Sequence, residues 1–146
     1  MEIFIKQATT PPELEQAWAI RREVFVIEQR VPEDLEIDQW ESTCTHFLAL
    51  TGTSPVGTCR LRMLDPSTGK VERVAVLKSA RSAGVGKRLM EACEHHAREC
   101  GASLLVLNAQ MQVVPFYEKL GYSRTGEPFE EAGIPHVKMS KRLINA

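Results

Sequence analysis

Val74-Ala75-Val76-Leu77-Lys78-Ser79-Ala80-Arg81-Ser82-Ala83-Gly84-Val85-Gly86-Lys87-Arg88-Leu89 is the stretch whose reading decides the fold. Its opening residues are apolar and largely β-branched, as in a buried strand. Val85, Leu89, Cys93 and Ala97 then recur every four residues, the spacing of a helix with one apolar stripe. A strand that passes through a short glycine-bearing loop into a helix leaves successive backbone N–H groups without intrahelical partners, and the helix dipole adds partial positive charge there. Glycines at 84 and 86 let a phosphate approach with no Cβ in the way. Arg81, Lys87 and Arg88 add side-chain charge. The segment Arg81, Ser82, Ala83, Gly84, Val85, Gly86, Lys87 therefore has the design of a pyrophosphate site; a tight turn without a ligand is the alternative. A P-loop is disfavoured because one residue, not four, separates the glycines, and a dinucleotide fold because Leu89 stands where its third glycine belongs.

Working outward, Met1 to Ala8 reads as a first strand. Thr10-Pro11-Pro12-Glu13 supplies an N-cap, a proline at the first helical position and a glutamate three residues after the cap, so a helix runs to about Phe25. Glu28 to Glu41 holds six carboxylates (Glu28, Glu33, Asp34, Glu36, Asp38, Glu41) against Arg30 and is interrupted by Pro32, which predicts a loop with a short helix. Thr45–Thr51, Val56–Met63 and Lys70–Leu77 have strand character with turn residues between them, the pattern of an antiparallel meander. Gly101 ends the helix that begins near Val85. Leu104-Leu105-Val106-Leu107 is a strand buried on both faces. Val113 to Leu120 is a further helix, and Tyr122-Ser123-Arg124 and Val137-Lys138-Met139 close the set. The order predicts an α+β three-layer fold: a mixed, mostly antiparallel central sheet with helices on both faces.

At 146 residues the chain reads as one domain, residues 1–146, long enough to bury roughly two-thirds of its unfolded surface. Hydrophobic residues make up 43% and charged residues 25%, and the net charge of -1 leaves no basic excess for nucleic-acid binding. No apolar run reaches the roughly 18 residues that span a bilayer. The start, Met1-Glu2-Ile3-Phe4-Ile5-Lys6, lacks the basic-then-apolar order of a signal peptide, so a cytoplasmic address is expected. Cys44, Cys59, Cys93 and Cys100 lack zinc spacing, and Cys93 and Cys100 lie about 10 Å apart along one helix; reduced thiols and no metal site are expected.

Arg81-Ser82-Ala83-Gly84-Val85-Gly86 resembles the Arg/Gln-x-x-Gly-x-Gly/Ala signature of the GNAT superfamily of N-acetyltransferases, whose amides hold the pyrophosphate of CoA. Asn108-Ala109-Gln110, six further residues, and Tyr117-Glu118-Lys119-Leu120-Gly121-Tyr122 resemble that superfamily's second CoA segment, ending Phe-Tyr-x-Lys-x-Gly-Phe. The pair covers about half the chain. Arg22-Glu23-Val24-Phe25-Val26-Ile27-Glu28-Gln29, Gly57-Thr58-Cys59-Arg60-Leu61 and Phe129-Glu130-Glu131-Ala132-Gly133-Ile134-Pro135-His136 resemble the ElaA/YjcF-like branch, and Asn108 to His136 also resembles the glyphosate N-acetyltransferase type. The resemblance implies acetyl-CoA as acyl donor. It implies a strand at Val74, Ala75 and Val76 that splays from the strand holding Asn108, and a second contact segment including Phe116, Tyr117 and Lys119. A small-molecule amine is the expected acceptor, and a homodimer is expected from family habit.

Acetyl transfer to an amine requires removal of a proton from the amine, stabilisation of the thioester oxygen and neutralisation of the leaving thiolate. No Ser-His-Asp arrangement is apparent, so one-step transfer in a ternary complex is expected. By resemblance Tyr117 is the general acid, with a packed aromatic as the alternative. His136 matches the base of the glyphosate-acetylating relatives, and an unperturbed imidazole, pKa ~6.5, suits that task. Glu72 is the rival base: strict alternation places it on the face of Val74 and Val76. His46 is a weaker candidate for the acceptor cleft, and His95-His96 read as solvated. The acidic segment 28–41 would draw in a cationic amine or simply be solvated, whereas Arg22, Arg60 and Arg73 would receive an acceptor carboxylate. Two other readings remain at this point, a CoA-binding regulatory module with little catalysis and a nucleotide-binding domain.

Overall fold

The computed structural model describes residues 2–33 and 38–143. β1 (Ile3–Ala8) leads into α1 (Pro11–Arg21), whose entry is the capping box read from the sequence. The Thr10 hydroxyl accepts from the Glu13 N–H at 3.4 Å, and the Glu13 carboxylate accepts from the N–H groups of Thr10 and Thr9 at 3.1 and 3.0 Å. The helix does not stop at Phe25. After Arg21 the backbone widens into a π-helical turn, Arg22–Glu28, in which the Gln29 N–H reaches back five residues to the Val24 carbonyl at 3.1 Å.

β2 (Thr45–Thr51), β3 (Ser54–Asp65) and β4 (Thr68–Val76) form the expected meander, followed by α2 (Val85–Glu99), β5 (Leu104–Gln110) and α3 (Val114–Lys119). The closing strands are longer than Tyr122–Arg124 and Val137–Met139: β6 (Ser123–Glu131) and β7 (Ile134–Arg142) make a hairpin. Its two-residue turn, Ala132 and Gly133, has φ +52° and +76°, the double left-handed geometry whose twist matches paired strands. Gly126, Pro128 and a mostly polar pattern, broken by Phe129, hide β6 from a sequence reading, because an edge strand exposed along its length has no buried face to impose alternation.

The seven strands are ordered β1-β2-β3-β4-β5-β7-β6, antiparallel throughout except for the parallel pair β4–β5. α2 and α3 cover one face. There Val85, Leu89, Cys93, Val114 and Tyr117 pack on Cys59, Leu61, Leu105, Val137 and Met139. α1 and the π-helical turn cover the other face through Ala17, Ile20 and Val24 against Ala8, Leu48 and Ala75. The fold is thus the three-layer arrangement expected. Cys59 and Cys93 are unbridged and face each other across this core at 3.1 Å. No helix among the described residues is long and apolar enough to cross a membrane.

Candidate active site

The sheet splits in the middle. β4 and β5 pair only at Thr68–Leu104, Gly69–Leu105 and Lys70–Val106; beyond that β4 stays with β3 as far as Val76, and β5 stays with β7 as far as Gln110. A bulge marks the parting. Thr58 pairs with Ala75 and Arg60 with Glu72, so two steps along β3 match three along β4, and the extra residue, Arg73, is left-handed at φ +56°. The gap opens into a cleft of about 920 Å³. Among the described residues no strand pairs with the β5-facing edge of Val74, Ala75 and Val76.

At the wide end of the cleft stands the glycine corner. Ser82 and Gly84 are left-handed, φ +71° and +84°, and α2 begins at Val85 with no side chain capping its N-terminus. Its first N–H groups are therefore unsatisfied by the protein's own side chains. A Cβ on Gly84 would meet nothing within 4 Å, which keeps the backbone open to an incoming group, whereas a Cβ on Gly86 would lie 3.1 Å from the Phe116 ring. Val74, Ala75, Val76, Arg81, Ser82, Gly84, Val85, Gly86, Lys87, Asn108, Phe116 and Tyr117 all line the cleft. Ala83 and Lys119 do not; Lys119 sits on the exposed side of α3. Arg81 is engaged. Its guanidinium holds Glu28 in a two-pronged pair at 2.6 and 2.7 Å and donates to the Val76 carbonyl at 3.0 Å. Next to Glu28, Gln29 exchanges an amide hydrogen bond with Gln110 at 2.9 Å, so the end of the π-helical turn crosses from the β4 side of the split to β5.

Tyr117 and His136 approach the cleft from opposite faces of the sheet. Tyr117 belongs to the α2–α3 layer, 7% exposed, with Phe116 and Tyr122 edge-on at 5.0 and 5.9 Å. Burial, with the nearby Cys59 and Cys93 thiols, pushes its phenol above the ordinary tyrosine range, so it stays protonated. On β7, Val137 and Met139 enter that same core, which turns the alternate residue His136 to the α1 face. His136 is 7% exposed. Its Nδ1 lies 2.6 Å from the Ile134 carbonyl, which only accepts, so Nδ1 donates and Nε2 is the nitrogen left to take up or give a proton. Phe129 stacks on the ring at 6.0 Å.

Glu72 lines the cleft but not on the expected face. The bulge at Arg73 adds one residue to the alternation. Val71, Val74 and Val76 therefore face α2, and Glu72 turns to the α1 face beside Arg60. Arg60 (3.1 Å), Arg62 (3.2 Å) and Lys70 (3.4 Å) surround its carboxylate. Burial alone would raise this carboxyl; the three cations outweigh it and hold the group below its usual range, which weakens it as a base.

Among the described residues of the acidic segment the carboxylates are paired with arginines. Each of its four described carboxylates meets an arginine from elsewhere in the chain or its flank: Glu28 with Arg81, Glu33 with Arg22, Asp38 with Arg60 and Arg73, Glu41 with Arg21 and Arg60. Asp34 and Glu36 lie outside the described residues. Arg60, with 0% exposure, is the hub, bound to Asp38, Glu41 and Glu72 at 2.7–3.1 Å. Of Arg22, Arg60 and Arg73, only Arg73 lines the cleft. His46 is buried and spends its Nε2 on the Glu41 carbonyl at 2.9 Å, away from the cleft. His95 is exposed, but His96 is half-buried edge-on to Phe47 at 5.7 Å. Sequence reasoning did not single out Gln29, Gln110 or Glu131 as lining residues; pairing that depends on contacts between residues 81 apart leaves no local signal.

A split sheet, an uncapped helix start at its mouth and a buried tyrosine at its throat define a class. Residues 8–143 match the Acetyltransferase (GNAT) domain, and the chain belongs to that family of acetyltransferases. Within it the relatives point to the ElaA/YjcF-like branch. The protein named uncharacterized N-acetyltransferase YjcF of Bacillus subtilis (strain 168) is 50% identical over 135 residues, 92% of this chain and 96% of that one. Protein ElaA of Escherichia coli (strain K12) is 32% identical over 134 residues, 87% and 86% of the two chains. The crystal structure of Escherichia coli ElaA gives a TM-score of 0.82 at 27% identity, covering 96% of this chain and 99% of that one. A GNAT family acetyltransferase from Elizabethkingia anophelis with acetyl-CoA bound shares the fold, with a TM-score of 0.75 at 21% identity over 97% and 98% of the chains.

Proposed function

We propose that the protein moves an acetyl group from acetyl-CoA to the primary amine of a small molecule by direct attack within a ternary complex. The observation that carries this reading is the single cleft that joins the uncapped start of α2, the unpaired edge of β4, Tyr117 and His136 through the split in the sheet. The residues present fit CoA. Gly84 leaves open space before the bare amides of residues 82–87, which would hold the pyrophosphate. The edge of Val74–Val76 offers a strand-like partner for the two amides of the pantetheine arm, with Asn108 and Phe116 on the facing wall.

Acetyl-CoA supplies the acetyl group as a thioester already activated toward an amine. His136 Nε2 accepts the proton that the amine must lose, because Ile134 keeps its other nitrogen protonated. Tyr117, protonated throughout the neutral range, donates a proton toward the departing sulfur. A backbone N–H of Val74–Val76 polarises the thioester oxygen. Glu72, held ionised by three cations, anchors β3 to β4 and leaves the proton transfer to His136.

The test is thiol release from acetyl-CoA across a panel of amino acids, alkyl and aryl amines, polyamines and aminosugars. His136→Asn should lower the rate on the best amine by roughly 10²–10⁴-fold while CoA affinity holds. CoA binding without thiol release on any amine would overturn the reading.

A further inference from the structure

Facing residues of an antiparallel pair share a face of the sheet, as do residues two apart on one strand. In the β6–β7 hairpin Phe129 pairs with His136 and Glu131 with Ile134, so these four side chains project together from the α1 face. Glu131, Ile134 and His136 line the cleft. The turn that places them is unusual: Ala132, itself a lining residue, holds a left-handed backbone normally left to glycine. The turn places a carboxylate in the cleft lining beside the imidazole. Glu131 Oε2 lies 3.6 Å from His136 Nε2.

Three carboxylates line the described cleft, and two of them are neutralised. Glu28 is held by Arg81, and Glu72 by Arg60, Arg62 and Lys70. Glu131 has no lysine or arginine partner among the described residues; its one contact with a titratable group is His136. It is 49% exposed, so solvent and an incoming molecule can reach its carboxylate. The walls around it are apolar: Ile134 from the hairpin, and Phe25 and Val31 from the segment after α1.

We infer that Glu131 is the residue that receives the acceptor's ammonium and delivers it to His136, and that the acceptor class is a primary amine on an apolar alkyl or aryl arm. This rests on the proposed acetyl transfer in the same cleft. The carboxylate binds the ammonium one hydrogen-bond step from Nε2, the atom that takes the proton, and the arm lies against Phe25, Val31 and Ile134. Glu131 acts by binding and positioning, so its loss shows in KM and binding before kcat.

The experiment is calorimetric titration of phenethylamine, phenethyl alcohol and phenylalanine into the protein saturated with CoA, with the wild type and Glu131→Gln. Thiol release from acetyl-CoA is then measured on the same amines. The expected result is that Glu131→Gln weakens phenethylamine by about tenfold and raises its KM to match. Phenethyl alcohol and CoA should bind the variant and wild type alike, and Glu131→Asp should recover most of the loss. Equal phenethylamine affinity in wild type and Glu131→Gln overturns the inference, as does tighter binding of phenylalanine than of phenethylamine. The two readings fail separately. Thiol release that is indifferent to Glu131→Gln removes the inference and leaves acetyl transfer standing. Glu131-dependent amine binding with no thiol release removes acetyl transfer and leaves an amine-binding site.

Discussion

Replacing Glu41 by glutamine isolates the ion network that ties α1 to the sheet. The Glu41 carboxylate is 11% exposed and accepts from Trp18 Nε1 at 2.5 Å, Arg21 Nη1 at 2.6 Å and Arg60 Nη1 at 2.8 Å. Burial by itself would raise this carboxyl. The hydrogen bond and charge of Arg21, with Trp18 and His46, more than reverse that and hold it at about 2, against an ordinary value of 4.5. A carboxyl more acidic in the folded chain than in the unfolded one stabilises the fold above the unfolded value, and that contribution disappears as pH falls from about 4.5 toward 2. At about 1.4 kcal/mol per tenfold change in proton affinity, the 2.5 separating 4.5 from 2 corresponds to about 3 kcal/mol at neutral pH. For a domain whose total stability is of order 5–15 kcal/mol, that is a large share. Urea unfolding followed by circular dichroism at pH 7, 5, 4 and 3 measures it. Glu41→Gln should lose about 3 kcal/mol at pH 7, and the difference from wild type should shrink steadily between pH 5 and 3. A difference that stays constant across that range would refute the reasoning, because a neutral amide has no proton linkage to lose.

Tyr117→Phe should lower the rate of thiol release by roughly 10²–10⁴-fold while calorimetry finds CoA affinity within about twofold of wild type; an unchanged rate removes the phenol as the acid. Glu28→Gln removes the carboxylate that now holds Arg81 at 2.6 and 2.7 Å. With the guanidinium free to turn to the cofactor's phosphates, CoA should bind roughly threefold tighter, and weaker binding would show that the Glu28 clamp assists the cofactor instead. Gly84→Ala places a side chain in open space but at φ +84°, so it should cost about 1–2 kcal/mol from backbone strain alone, read as a lower urea midpoint with an unchanged slope. An unaltered midpoint would mean that the corner relaxes out of its left-handed turn.

The parts of the fold legible in the sequence are those governed by local chemistry. Thr10 and Glu13 are three residues apart and cap each other; the apolar run Leu104–Leu107 is central; the glycine pair between a strand and an amphipathic helix marks the corner. What the sequence concealed depends on distant partners. An arginine in a left-handed bulge carries no composition signal, yet Arg73 turns Glu72 to the other face of the sheet and so changes which carboxylate faces which cation. The acidic segment looks unbalanced in isolation because Arg21, Arg60, Arg73 and Arg81, which neutralise it, lie on other elements. Most of β6 is invisible to local pattern because a strand exposed along its whole length has no buried face to impose alternation. Glu131 and His136 are five residues apart in sequence, and the turn that brings the two together depends on the left-handed backbone of Ala132 and Gly133.

In the proposed function the bare amides at the start of α2 hold the donor's phosphates. The most direct measurement is a CoA titration of the ¹⁵N-labelled protein with amide shifts read residue by residue. Saturable shifts are expected, largest at residues 82–87 and along Val74–Val76, and abolished at the corner when Gly86→Trp drives a ring against Phe116. Saturable CoA binding that leaves the amides of residues 82–87 unmoved would contradict it.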